Sequence, residues 1–237
     1  MECNICGCGR FVDMNSRKGV RCAACGSLER TRVLWKFLER VRLPKGAKIL
    51  HIAPEKGLST RLTKMAEDVG GSYIAADIDP GRFTYITGEV MPIDLCDLES
   101  FSSEDFDLIV HAHVLEHIPC NIFYPIFHLH RMLKRSGQHV CVIPFTSGGW
   151  DECFANIGDE ERVRRFGQSD HVRRFGRDDV ADHVGRLLRL PQEYDLRAHF
   201  PGQELERANI PSRSWRGLNP DTVLVLRRED MLAWGAR

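Results

Sequence analysis

Apolar and polar positions along the chain switch between two periods. Ala47-Lys-Ile-Leu-His-Ile-Ala53 is a short, nearly continuous apolar run, the pattern of a buried strand. Pro54-Glu-Lys-Gly57 breaks it as a turn. From Leu58 to Val69 the spacing is helical, and Gly70-Gly71 stops that helix. Tyr73-Ile-Ala-Ala76 is a second buried strand, ending in Asp77. Val90-Met-Pro-Ile93 is a weaker third, ending at Asp94, and Phe106-Asp-Leu-Ile-Val110 a firmer fourth. Asn121–Arg135 reads as an amphipathic helix closed by Ser136-Gly137, and Gln138–Ile143 as a fifth strand stopped by Pro144. Residues 193–200 and Thr222–Leu226 are read as the last two strands. Upstream, Leu28, Val33, Leu34, Trp35, Phe37, Leu38 and Val41 form one apolar helix face, with Ser27 as its cap and Pro44 as its break. Strands alternating with helices predict right-handed crossovers and a parallel sheet, whose ligands bind at the strands' carboxyl ends.

Cysteine changes this picture most. The chain has 237 residues and nine cysteines, five of them among the first 25 positions. Cys3-Asn-Ile-Cys6-Gly7 and Cys22-Ala-Ala-Cys25-Gly26 are separated by 15 residues, the spacing of a tetrahedral zinc site. Cys8 could replace Cys6, but Cys6 keeps the repeat. Four thiolates leave no open position, so this Zn2+ is expected to be structural. An odd count without an export signal points to a reducing cytoplasm. The expected division is a zinc ribbon at 1–27, a linking helix at 28–45, and an α/β domain at 46–237 with a substrate-binding insertion at about 146–190. The formal net charge is zero, which disfavours nucleic acid as the main partner. No run approaches the ~20 apolar residues that span a bilayer. Nothing in the pattern sets an oligomeric state.

Strand, turn, helix, strand and acid within ~30 residues outline a nucleotide-binding unit. A carboxylate at Asp77 can accept hydrogen bonds from a ribose diol. The turn, however, carries one Gly where a dinucleotide site uses three, which suits a ligand with a ribose and no phosphates, such as S-adenosylmethionine.

Ile49-Leu-His-Ile-Ala-Pro-Glu55, Tyr73-Ile-Ala-Ala-Asp77, Asp94-Leu-Cys-Asp97, and Phe106-Asp107 with His113-Val-Leu-Glu-His-Ile118 together resemble a class I S-adenosylmethionine-dependent methyltransferase. The likeness is to type 11 members, and the cysteines resemble the zinc-ribbon head of a bacterial subgroup. This resemblance implies a Rossmann-like seven-stranded sheet with helices on both faces and a final antiparallel hairpin. It places His51 and the turn Ala53–Gly57, including Glu55, at the methionine end of the cofactor. It also places Asp77 and Ile78 at the ribose, Asp94 and Leu95 at the adenine, and His111 beside the cofactor. His51 stands where the family has an acid, and Glu55 where it has a Gly, so the methionine end is expected to be held differently.

Val163-Arg-Arg-Phe-Gly167 recurs as Val172-Arg-Arg-Phe-Gly176, with His171 between the copies. The insertion thus offers Arg173 and Arg174 for an anionic group, Trp150 and Phe154 to cover the substrate, and His171 as a general base activated by Asp170 or another carboxylate. His113 is expected at the substrate. His113, Glu116 and His117 form a nitrogen–oxygen–nitrogen set suited to zinc or iron, although Glu116-His117 are read here as packing groups at the start of a helix. The expected function is methyl transfer to O or N of a small molecule, in natural-product or cell-envelope metabolism. The competing readings are an RNA methyltransferase gripping RNA through its zinc head, and a non-catalytic cofactor- or partner-binding protein.

Overall fold

The computed structural model describes residues 1–232. The last five residues of the expected 46–237 domain lie outside them. Strands β1 (Phe11–Met14) and β2 (Arg17–Cys22) form an antiparallel hairpin between the two cysteine pairs. Gly7 and Gly26 sit at φ 76° and 74°, and their amides donate to the carbonyls of Cys3 and Cys22 at 2.8 and 3.0 Å. Glycine is needed at both because the knuckle turns back through the left-handed region.

Helix α1 (Glu29–Leu38) has Leu28 at its N-cap position, so Ser27 does not cap it. The Ser27 hydroxyl instead lies 3.3 Å from both Cys3 Sγ and Cys25 Sγ. Val33, Leu34, Trp35 and Leu38 are buried in one cluster with Ile5, Cys3, Ile49, Val110 and Val142, so the head and the main sheet share a core. Arg32 is fully buried there. It donates to the carbonyls of Val20, Ser27 and Asn209 at 3.0, 2.8 and 2.8 Å, partners without which a buried guanidinium would be strongly unfavourable.

The chain continues through β3 (Lys48–Ile52), α2 (Lys56–Asp68), β4 (Ser72–Asp77), β5 (Val90–Pro92), β6 (Phe106–Ala112), α3 (Phe123–Met132) and β7 (Leu133–Val142). All of β6 is buried, because both faces of the sheet are covered; that is why its sequence is apolar without alternation. Helix α3 ends at Met132 and β7 starts at the next residue. Pairing of β6 with β7 slips between Phe106/Leu133 and Leu108/Gln138, so Ser136-Gly137 lie in a bulge and do not end the helix. A Cβ at Gly137 would stand 2.9 Å from the Phe106 carbonyl oxygen.

Next come β8 (Phe145–Thr146), β9 (Asp151–Glu152), α4 (Asp159–Phe166), β10 (Arg173–Gly176), α5 (Val184–Leu187), α6 (Gly202–Arg207) and β11 (Val223–Arg227). Strands β8, β10 and β9 make a small sheet in that order. The two V-R-R-F-G copies thus differ in structure. The first ends α4, after Asp159, Glu160 and Glu161 at the helix start, and Gly167 closes it at φ 88°. The second supplies β10, the central strand of that sheet.

The main sheet has six strands among the described residues, in the order β11-β7-β6-β3-β4-β5, and only β11 is antiparallel. The expected seventh strand at 193–200 is absent. That segment holds a 3-10 turn at Leu196–Ala198 and a single bridge, Asp195 to Arg216. Leu196 and Phe200 are buried four positions apart, a helical spacing, and the Asp195 carboxylate accepts from the Arg197 amide. Without that strand the described residues contain no final hairpin, and β11 pairs directly with β7 from Val223–Val142 to Arg227–Gln138. No helix among the described residues is long and apolar enough to cross a membrane.

Candidate active site

From β3 the chain runs outward through β4 to β5, then returns to β6 and runs the other way. The switch point therefore lies between the carboxyl ends of β3 and β6, where ligands of open α/β sheets bind. Each end carries a non-glycine residue in the left-handed region, Ala53 at φ 50° and His113 at φ 55°. Such backbone costs about 1–3 kcal/mol per residue and concentrates at functional sites. Here it turns the backbone sharply off the sheet at both points, where the Ala53 N–H donates to the Ala76 carbonyl (2.9 Å) and the His113 N–H to the Val142 carbonyl (3.2 Å).

The residues expected around a nucleoside divide into two groups. Asp77 ends β4, with one carboxylate oxygen accepting the Asp79 amide at 2.9 Å. Beside it Ile78 is 69% exposed, an apolar platform at the sheet's rim. Asp94 follows β5 on the surface, its Oδ1 accepting the Cys96 amide at 2.8 Å. Leu95 packs into the core behind it. His51 and His111 are fully buried, so their side chains line the core and not the crevice. His51 Nδ1 hydrogen-bonds Tyr73 Oη at 2.9 Å. His111 stacks obliquely on His139, whose Nδ1 lies 3.3 Å from His130 Nε2. Burial holds the His51 and His111 imidazoles down to about 3, and pushes that of His139 well below its ordinary value.

The turn 54–57 is braced from both sides. Thr31 Oγ1 donates to Glu55 Oε1 at 2.9 Å, and Tyr85 Oη donates to the Pro54 carbonyl at 2.7 Å. Gly57 faces the second cysteine knuckle: a Cβ there would stand 3.1 Å from Cys25 Cβ and 3.2 Å from Cys25 Sγ. Tyr85 carries no motif that marks it in the sequence.

Cys3, Cys6, Cys22 and Cys25 bring their four sulfurs within 4.8 Å of one another. Cys3–Cys25 and Cys6–Cys22 are 3.7 and 3.5 Å apart, close to the roughly 3.8 Å edge of a tetrahedron with ~2.3 Å Zn–S bonds. These thiols fit a Zn2+ ion. Cys8 stands aside, its sulfur accepting the Arg10 amide at 3.4 Å.

Beyond β6, Leu115–His117 form one 3-10 turn and not the start of a longer helix. Arg173 clamps this turn. It is 0% exposed, donates to the carbonyls of Leu115, Ile118 and Cys120 at 2.6, 3.2 and 2.7 Å, and pairs with Glu152 at 3.0 Å. Its guanidinium is therefore committed to the fold, not to a substrate. Arg174 is half-buried and donates to the carbonyls of Gly149 and Arg165. Trp150 stacks on His183 at 4.8 Å, while Phe154 is exposed, with the Arg173 guanidinium 5.5 Å from its ring.

His171 is 7% exposed and packs edge-on to His117 at 4.7 Å. Asp170 does not face it: the Asp170 carboxylate lies 3.4 Å from His117 Nδ1. His171 Nδ1 bonds the Phe166 carbonyl at 3.1 Å, which puts its proton on Nδ1 and leaves a lone pair on Nε2. Glu116 is 1% exposed. Burial raises its carboxyl to about 8 and lowers the neighbouring His113 imidazole to about 3.

No family model and no curated protein matches the chain. Solved structures resemble parts of its fold. The YcgJ protein of Bacillus subtilis is 14% identical over 77% of this chain and 80% of that one, with a TM-score of 0.47. A SAM-dependent methyltransferase from Archaeoglobus fulgidus is 16% identical over 68% of each chain, with a TM-score of 0.44. The DszA carbon methyltransferase is 20% identical over 49% of this chain, with a TM-score of 0.34. This chain spans about a third of the DszA and CurJ carbon methyltransferases, 33% and 35%. At these identities and scores the likeness assigns neither a substrate nor a residue role.

Proposed function

We propose that the protein is an S-adenosylmethionine-dependent methyltransferase acting on a small molecule, with a structural Zn2+ held by Cys3, Cys6, Cys22 and Cys25. The observation that carries this reading is the pairing of Asp77 and exposed Ile78 beside a switch point whose turn lacks a phosphate cradle. A carboxylate and an apolar platform suit a nucleoside without phosphates. Asp77 would take the ribose hydroxyls and Asp94 the adenine amino group; the braced turn after Ala53 would hold the amino-acid end. When bound, the cofactor supplies a methyl group on a positive sulfonium. The chain supplies orientation, a dry floor made by Leu95 and the buried β6 residues, and a cluster of His113, Glu116, His117 and His171 at the mouth for the acceptor and its proton.

The zero net charge counts against a nucleic-acid substrate. The test uses methyl-labelled S-adenosylmethionine with a panel of hydroxyl- and amine-bearing small molecules and, separately, with RNA. Label in a small molecule, lost in Asp77→Ala, supports the reading. Label in RNA that depends on residues 1–27 would replace it with the RNA reading.

A further inference from the structure

We infer that Glu116, His117 and His171 form a site for a divalent transition-metal cation of the Zn2+ class at the mouth of the switch point. The three side chains come from segments about 55 residues apart in sequence, yet their ligand atoms lie within 4.8 Å of one another. Each imidazole is held as a metal ligand would be, through its other nitrogen. His117 Nδ1 lies 3.2 Å from the Asp170 carbonyl and 3.4 Å from its carboxylate, and His171 Nδ1 bonds the Phe166 carbonyl. The Nε2 lone pairs are left over, and the buried Nε2 of His171 has no hydrogen-bond partner among the described residues. Both carboxylate oxygens of Glu116 are likewise buried without a hydrogen bond. Among the described residues the only ion-pair partner of this carboxyl is His113, whose Nδ1 lies 3.4 Å from Oε1 without a hydrogen bond; a buried carboxyl so poorly satisfied is unfavourable, and a cation resolves it.

The geometry is fixed in advance. The Val172 amide donates to the Glu116 carbonyl at 2.9 Å, and Arg173 ties the 115–120 turn to β10. His113, which the sequence spacing favours as a ligand, bonds the Pro220 carbonyl through Nε2 at 2.8 Å and sets Nδ1 3.4 Å from Glu116 Oε1, so it stands behind the carboxylate and outside the converging set. Two nitrogens and a carboxylate suit zinc, cobalt or iron and are poor for Mg2+ or Ca2+. Three protein ligands leave a position open, unlike the closed four-sulfur head. Resting on the methyl-transfer reading, that position takes an acceptor hydroxyl. Bound there, the hydroxyl gives its proton to solvent more readily, and the oxygen then takes the methyl as the sulfonium S–C bond breaks and an O–C bond forms. His171 is thus a ligand and not the general base.

The test is a Co2+ titration of the full-length protein carrying a single equivalent of Zn2+, which the four-thiolate head takes and the open site does not, read by visible absorption. One equivalent is expected to bind with d–d bands and no sulfur-to-cobalt charge transfer, which separates it from exchange into the cysteine site. Glu116→Gln and His171→Gln are expected to weaken it at least tenfold with unchanged circular dichroism. If either fails to fold, half-exposed His117→Gln carries the same expectation. No sulfur-free equivalent, or one retained at full affinity in His171→Gln or His117→Gln, overturns the site. S-adenosylmethionine binding is measured separately by calorimetry. Cobalt binding without it sinks the methyl-transfer reading and leaves the cation site standing.

Discussion

Lowering the pH from about 7 to about 5 should destabilise the protein through its buried histidines. An unfolded imidazole titrates near 6.5. Burial holds His51 and His111 to about 3, assisted in His111 by the neighbouring His130. Between those values the unfolded chain binds a proton that the folded chain refuses. Stability from each group is therefore present in full above about 6.5 and is lost progressively as pH falls toward 3. At pH 5 the loss is about 2 kcal/mol for each such imidazole, from the difference in protons bound. The assay is urea denaturation of the zinc-loaded protein across this range, for the parent and for His111→Leu. Acid loss of metal and the titration of carboxylates are common to both proteins, so the difference between the curves isolates His111. The variant should lose about 2 kcal/mol less than the parent between pH 7 and pH 5. Parallel curves would refute the claim that this imidazole is buried in its neutral form.

Three further outcomes follow from single contacts. Arg173→Met should destabilise by about 3 kcal/mol in chemical denaturation, since it takes the partner from one buried and two part-buried carbonyls; an unchanged midpoint would show that the clamp is idle. Gly57→Ala forces a methyl against Cys25 and Ile5 and should cost about 1–3 kcal/mol, read as faster zinc release to a chelating dye; equal release rates would show that the turn and the knuckle are independent. Stripping zinc should lower the melting temperature of the whole chain, because Cys3, Cys22 and Ile5 share a core with the main sheet; a head that melts alone, as a separate transition, would contradict that shared core.

Much of the sheet was legible because its determinants are local. The mainly apolar runs at β3, β4 and β6, the acid at Asp77 and the doubled C-x-x-C each declare themselves within a few residues. What was not legible depends on distant partners. Two identical V-R-R-F-G segments become a helix end and a strand, since only the second has Arg173 reaching into the 115–120 turn. A run such as Glu193–Phe200 looks like a strand until Leu196 and Phe200 are found buried on one side of a turn. The Ser27 hydroxyl left the helix end for a thiol cluster. His171 was marked as a base by its place in the insertion, yet its convergence on Glu116 is a tertiary fact that spacing along the chain does not contain.

The central claim, a nucleoside cofactor without phosphates held by Asp77, is tested most directly by isothermal titration of the zinc-loaded protein with S-adenosylmethionine and with S-adenosylhomocysteine. The account predicts one saturable site per chain, weakened roughly a hundredfold in Asp77→Ala, as expected for about 3 kcal/mol of lost hydrogen bonding to a carboxylate. No heat of binding in the folded, zinc-loaded parent, or equal affinity in Asp77→Ala, would contradict it.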